Sequence, residues 1–134
     1  MPYHTRSHGV DVQALQRWIA KASAMASAAN MDVIYLISTF ANADGDALVA
    51  LIGEKGAKAF KKSREATING VRFHMETALT KRARGPAIML AMNVSLSHLE
   101  KAKADHRTAD LVYVAWFDVE LTEYEAASPS SVAI

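Results

Sequence analysis

Hydroxyl and amide side chains that directly follow apolar runs are the residues best placed to hold a ligand in this chain. Ser38, Thr39 and Asn42 follow one run, Asn93 and Ser95 follow a second, and Trp116 and Asp118 close a third. Hydroxyls and amides exchange hydrogen bonds with sugar hydroxyls and phosphate oxygens, and an indole stacks on a base. The same small polar residues also cap helices, because their oxygens accept from free backbone N–H groups. The two roles are compatible: a helix beginning near Asp46 or Ser95 would point its partial positive charge at a bound anion.

Other constellations fail on their spacing. Asn42, Asp44 and Asp46 resemble the start of a calcium loop, but Ala47 stands where that loop needs glycine and Gly53 where it needs a closing glutamate. His74-Met-Glu76 has the H-x-E spacing of zinc deaminases, which also require paired cysteines, and the chain has no cysteine. HExxH, Walker A, GxGxxG and GxSxG motifs are all missing. His98 and His106 fall in or beside a charged helical segment, where a solvated histidine is expected. These patterns specify no catalytic residue, no metal ligand and no cofactor.

The formal net charge of +1 hides an asymmetry. Residues 1–97 hold 12 Lys/Arg against 7 Asp/Glu, and residues 98–134 hold 3 against 7. Lys55, Lys58, Lys61, Lys62 and Arg64 form one basic run and Lys81, Arg82 and Arg84 another. Such runs attract phosphates, from a small ligand or from nucleic acid, or simply solvate a helix face.

These residues must be positioned by the apolar runs Val33–Ile37, Ala87–Met92 and Leu111–Phe117. Runs apolar on every side mark strands buried on both faces, as in parallel sheets covered by helices. Strands are therefore expected at Asp32–Ser38, Ala87–Asn93 and Leu111–Phe117. Val71, Phe73 and Met75 alternate with Arg72 and His74, which predicts a half-exposed edge strand after the Asn69-Gly70 turn.

Helices are expected between them. Val12, Leu15, Ile19, Ala22, Ala26 and Ala29 make one helical stripe over 11–29, suited to covering a core or contacting a second copy. A further helix starts near Asp46, is interrupted at Gly53–Gly56 and resumes over 57–66. Shorter helices are predicted around Glu76–Arg82, from Ser95 or Ser97 to Ala104, and over Val119–Ala127. The fold expected is α/β, a small Rossmann-like domain over 1–127 with about four mostly parallel strands, followed by a flexible tail at 128–134. Ligands bind such sheets beyond the strand C-termini, where the strand order reverses. If the strands at Asp32–Ser38 and Ala87–Asn93 are neighbours, Ser38, Thr39, Asn42, Asn93 and Ser95 line that crevice.

Leu48-Val-Ala-Leu-Ile-Gly53-Glu-Lys-Gly56 resembles the helix–IGxxG–helix core of KH domains. The resemblance implies single-stranded nucleic acid held by the Gly53–Gly56 backbone. It covers about 45 residues, and Ala59 and Lys62 stand where that family carries bulky aliphatics.

The length of 134 residues suits one domain. No stretch reaches the roughly 18 apolar residues that span a bilayer, and Met1–Gly9 lacks the apolar core of a signal peptide. Absence of cysteine fits a reducing compartment, so a cytoplasmic location without membrane association is expected. Three functions follow from these residues. The first is a nucleotide or other small phosphorylated ligand at the sheet edge, bound by a sensor or a modest enzyme. The second is a non-catalytic interaction module, with a homo-oligomer as partner. The third is nucleic-acid binding through the GxxG segment.

Overall fold

The computed structural model describes residues 3–8, 12–37, 46–77, 83–92, 94, 96–115 and 118–133. Strands β1 (Tyr3–His8), β2 (Asp32–Leu36), β3 (Glu65–Ile68), β4 (Val71–Glu76), β5 (Ala87–Met92), β6 (Thr108–Ala115) and β7 (Val132–Ala133) join in one sheet. The helices are α1 (Val12–Ala29), α2 (Asp46–Ser63), α3 (Leu96–Ala104) and α4 (Asp118–Ala127). The strand order is β3-β4-β2-β5-β6-β1-β7. Every pairing is parallel except β3 with β4. The molecule is an α/β domain whose mostly parallel sheet is flanked by helices.

Alternation along the central strands supplies two cores. Val33, Tyr35, Phe73, Met75, Leu90 and Val112 face one way, where α1 contributes Trp18, Ile19, Ala22 and Ala26 and α2 contributes Ala57 and Phe60. Ile34, Leu36, Met89, Leu111 and Tyr113 face the other way, against Leu99 and Ala102 of α3 and Tyr124 of α4. Both faces are dry, which is why β2, β5 and β6 read as continuous apolar runs. Each large side chain fully buried this way stabilises by roughly 1.5–3 kcal/mol relative to exposure.

Gly53 (φ 81°, ψ 165°) splits α2 into two helical segments, and the chain resumes helical geometry at once rather than opening into a loop. Together with a long, mostly parallel sheet in place of the small antiparallel KH sheet, this confines the KH resemblance to the kinked helix. The second segment stops at Ser63, short of the expected Ala66, because Glu65–Ile68 pairs with β4. Asn69 (φ 54°) and Gly70 (φ 76°) make the two-residue turn between these strands, with the positive φ that a type I′ hairpin requires at both positions.

The strand at Val71–Glu76 is therefore not an edge. It lies between β3 and β2, and His74 and Glu76, on its supposedly exposed side, are buried. The sheet also exceeds the four strands expected. β1 was concealed by its polar sequence, Tyr-His-Thr-Arg-Ser-His, β3 by its position at the end of a helix, and β7 by its two-residue length. The segment expected as a frayed tail contributes β7, which pairs with β1 at Tyr3–Val132 and His4–Ala133. Glu76 ends β4 rather than opening a helix, and the rest of the helix expected over 76–82 falls largely outside the described residues. Among the described residues, no helix is long and apolar enough to cross a membrane.

Candidate functional site

The strands β2 and β5 pair directly, from Asp32–Ala87 to Leu36–Ala91. The chain leaving β2 builds α2 on the first face, and the chain leaving β5 builds α3 on the second. Two adjacent parallel strands whose connections depart on opposite faces form the crevice where ligands of open α/β sheets bind. Ser38, Thr39, Asn42, Asn93 and Ser95 follow these two strands in sequence but lie outside the described residues, as do Trp116, Lys81 and Arg82. Asp118 opens α4.

A cavity of about 400 Å³ lies on the second face of this strand pair, against α3. Leu36, Met89 and Ala102 give it apolar surface, and Glu76 and Thr77 at the end of β4 form one wall. His98, in the first turn of α3, and Lys101 line the helix side, with Asp105, His106 and Arg107 beyond. This volume is within the usual range for a small-molecule pocket, and so is an apolar lining with a few polar groups.

The polar wall is a saturated ion network. Arg107 Nη1 donates to Glu76 Oε2 (3.1 Å) and Ala83 O (2.6 Å). Its Nη2 donates to Glu76 Oε1 (2.9 Å) and Asp105 Oδ2 (2.9 Å), and its Nε to Asp105 Oδ1 (3.1 Å). All five guanidinium donors are thus taken. The side chains of Glu76, Asp105 and Arg107 are only 1%, 4% and 7% exposed. The hydrogen bond to Asp105 holds the Arg107 proton more firmly than usual, burial opposes it, and Glu76 adds to the hold. Local structure makes this possible. Asp105 follows α3 and accepts the Arg107 backbone N–H at 3.0 Å, a turn that fixes both side chains together. Because β4 and β5 flank β2, their connection crosses it, and Ala83 packs on the second face, donating its N–H to Glu76 Oε2 at 2.7 Å.

Two residues back along β4, His74 Nε2 lies 2.8 Å from Asp32 Oδ2, and its Nδ1 lies 3.5 Å from Glu65 Oε1. His74 and Glu76 share a face but are engaged by different partners, so the H-x-E spacing assembles no common centre. Among the described residues, no group of three or more His, Asp or Glu side chains is arranged to hold a metal ion.

The basic residues divide in the same way. Lys55, Lys58 and Lys62 lie exposed on the second segment of α2, with Arg64 just after it, and Lys58 pairs with Glu54 at 3.1 Å. Arg84 follows Ala83, which packs on the opposite face. Lys55–Arg64 and Arg84 are therefore not one patch. The small-residue stripe of α1 is spent as well: Ala22 and Ala26 are 0% exposed against the sheet.

Sequence reasoning missed Glu76, Asp105, Arg107, His98 and Lys101 as site residues. The one available signal was Glu76 continuing the polar alternation of Arg72 and His74. Nothing in the sequence connects it to Arg107. Compared with known protein families, curated proteins and solved structures, the chain matches none.

Proposed function

We propose that this Rossmann-like domain binds a small phosphorylated ligand of nucleotide size, as a sensor or a modest enzyme, in the cleft beyond and beside β2 and β5. The observation that carries the reading is the coincidence of two independent features: the β2/β5 crevice and a cavity of about 400 Å³ bordered by Leu36, Thr77 and His98. Apolar surface from Leu36, Met89 and Ala102 suits a base or other flat apolar group. Lys101 supplies a cation for phosphate and His98 and His106 supply ring N–H donors, together with the N-terminal turn of α3 that bears His98. Arg107 is excluded from that role because its donors are already committed.

The interaction-module reading has less support. The α1 stripe is in the core, and among the described residues Val132 is the large apolar side chain left exposed.

A thermal-shift screen with nucleotides, dinucleotides, sugar phosphates and short single-stranded oligonucleotides tests the proposal. A ligand at about a hundred times its dissociation constant stabilises by about 2.7 kcal/mol, which is several degrees for a domain of this size. A salt-tolerant shift with one mononucleotide or sugar-phosphate class, lost in Lys101→Ala and His98→Ala, is the expected result. A shift with oligonucleotides alone that vanishes as salt rises would move the function to the basic segment of α2. No shift with any of them would remove the ligand reading.

A further inference from the structure

A second constellation lies at the β1–β7 end of the sheet, clear of the cavity. His4 of β1 is 3% exposed, and its Nδ1 lies 2.8 Å from Ser131 Oγ. Its Nε2 lies 3.3 Å from Glu125 Oε2 on α4. Tyr124, also on α4, donates its O–H to the same Ser131 oxygen at 2.9 Å. We propose that Ser131, His4 and Glu125 form a nucleophile–base–orienter array that hydrolyses small carboxylic esters.

The protons dictate the roles. A carboxylate only accepts, so Glu125 places the imidazole hydrogen on Nε2 and leaves the Nδ1 lone pair facing Ser131. Ser131 Oγ already accepts from Tyr124, so its single proton is directed at that lone pair. This is the chain of contacts that activates a serine: base against hydroxyl, and base oriented by a third group. The ring is turned relative to the arrangement in which Nε2 faces the serine, but either imidazole nitrogen is competent as a base. Packing holds it there, with the Tyr124 ring edge-on to His4 at 5.3 Å and Tyr113 behind Tyr124 at 4.6 Å.

In the reaction, Ser131 Oγ bonds to the ester carbonyl carbon as its proton passes to His4 Nδ1. Collapse of the tetrahedral adduct breaks the bond to the alcohol oxygen, which takes that proton. Water then attacks the acyl-serine, giving a proton to His4. Release of the carboxylic acid returns that proton to Ser131. A groove of about 360 Å³ is lined by Ser128, Pro129 and Ser130, the residues that immediately precede Ser131 in the chain, and by Lys103 and Asp110; Ser131 itself is not part of its lining.

The test is labelling with a fluorophosphonate probe, located by peptide mass spectrometry, alongside hydrolysis of p-nitrophenyl acetate. A phosphonyl adduct on Ser131 is expected, with labelling and turnover falling about a hundredfold or more in Ser131→Ala and His4→Gln. Glu125 is a positioning residue. In Glu125→Gln the adduct should still form, more slowly, and the pH profile of hydrolysis should shift. Ser131→Ala is the decisive variant, since it removes one hydroxyl from a half-buried position and keeps the Cβ. No adduct on Ser131, or hydrolysis by Ser131→Ala at the wild-type rate, overturns the proposal.

Discussion

Arg107 and Glu76 meet fork to fork, with Nη2–Oε1 at 2.9 Å and Nη1–Oε2 at 3.1 Å, although one precedes β6 and the other ends β4. The pair spans the second face of β2 and joins the β4–β5 connection to the turn after α3. It fixes one wall of the cavity before any ligand arrives. Its partners are so fully satisfied that its removal should be felt as stability first.

Glu76→Ala leaves a guanidinium buried with half of its carboxylate partners gone. Breaking a buried pair from one side costs about 3–5 kcal/mol, so the urea midpoint should drop sharply. The double substitution Glu76→Leu with Arg107→Met should recover much of that loss. A loss below about 1 kcal/mol in the single variant would show that the network contributes little.

Gly85→Ala addresses the same wall from the connection. A Cβ built at Gly85 would stand 2.5 Å from Arg107 Cβ, and the backbone there has φ 44°. The substitution is both strained and blocked by a side chain with no room to retreat, so the variant should melt several degrees lower. Pairing it with Arg107→Gly, which removes both the Cβ and the Cγ that the new methyl meets, should relieve most of the steric part. Equal losses in both backgrounds would contradict the contact.

Tyr35 gives a pH dependence. Burial beside Phe60, whose ring centre is 5.6 Å away, raises the phenol well above its ordinary value of 10. The folded state therefore keeps the proton at a pH where the unfolded chain releases it. Its stabilising contribution is complete below about pH 10 and is lost as pH climbs from there towards the raised folded value, at about 1.4 kcal/mol per pH unit. Tyr35→Phe should flatten the alkaline limb of a stability-against-pH curve. An unchanged limb would place the alkaline loss elsewhere.

Ala26→Leu separates core from contact. With Ala26 at 0% exposure, the larger side chain should cost about 1–3 kcal/mol through overpacking and leave the sedimentation behaviour alone. A change of association state at unchanged stability would instead mark that face of α1 as a surface between copies.

The central layer was legible because both faces of β2, β5 and β6 are covered, so Val33–Ile37, Ala87–Met92 and Leu111–Ala115 had to be apolar throughout. The peripheral strands were not. His4 and Glu65 sit in strands whose polar side chains meet particular distant partners, and alternation cannot register a hydrogen bond to Ser131 or an ion-pair contact with His74. The cavity was illegible for the same reason: Glu76, Asp105 and Arg107 look like surface charges until the fold cancels them against one another. The crevice was legible only on the condition that the strands at Asp32–Ser38 and Ala87–Asn93 are neighbours, which the pairing of β2 with β5 meets. His98 and Lys101 could not, because a charged helix gives no hint of which turn lines a hollow.

The place of β1 has a consequence for the order in which the molecule is assembled. Tyr3 has no sheet neighbour except Val112 on one side and Val132 on the other. Everything between them can form while the first strand is still waiting, and its long wait sets a late, non-local closure of the kind that slows folding. During synthesis this polar strand stays unpaired until the residues of β6 and β7, more than a hundred positions later, have been made. Its Tyr-His-Thr-Arg-Ser-His sequence, so unhelpful as a strand signal, suits a segment that must stay solvated and avoid wrong partners until its gap in the sheet is complete.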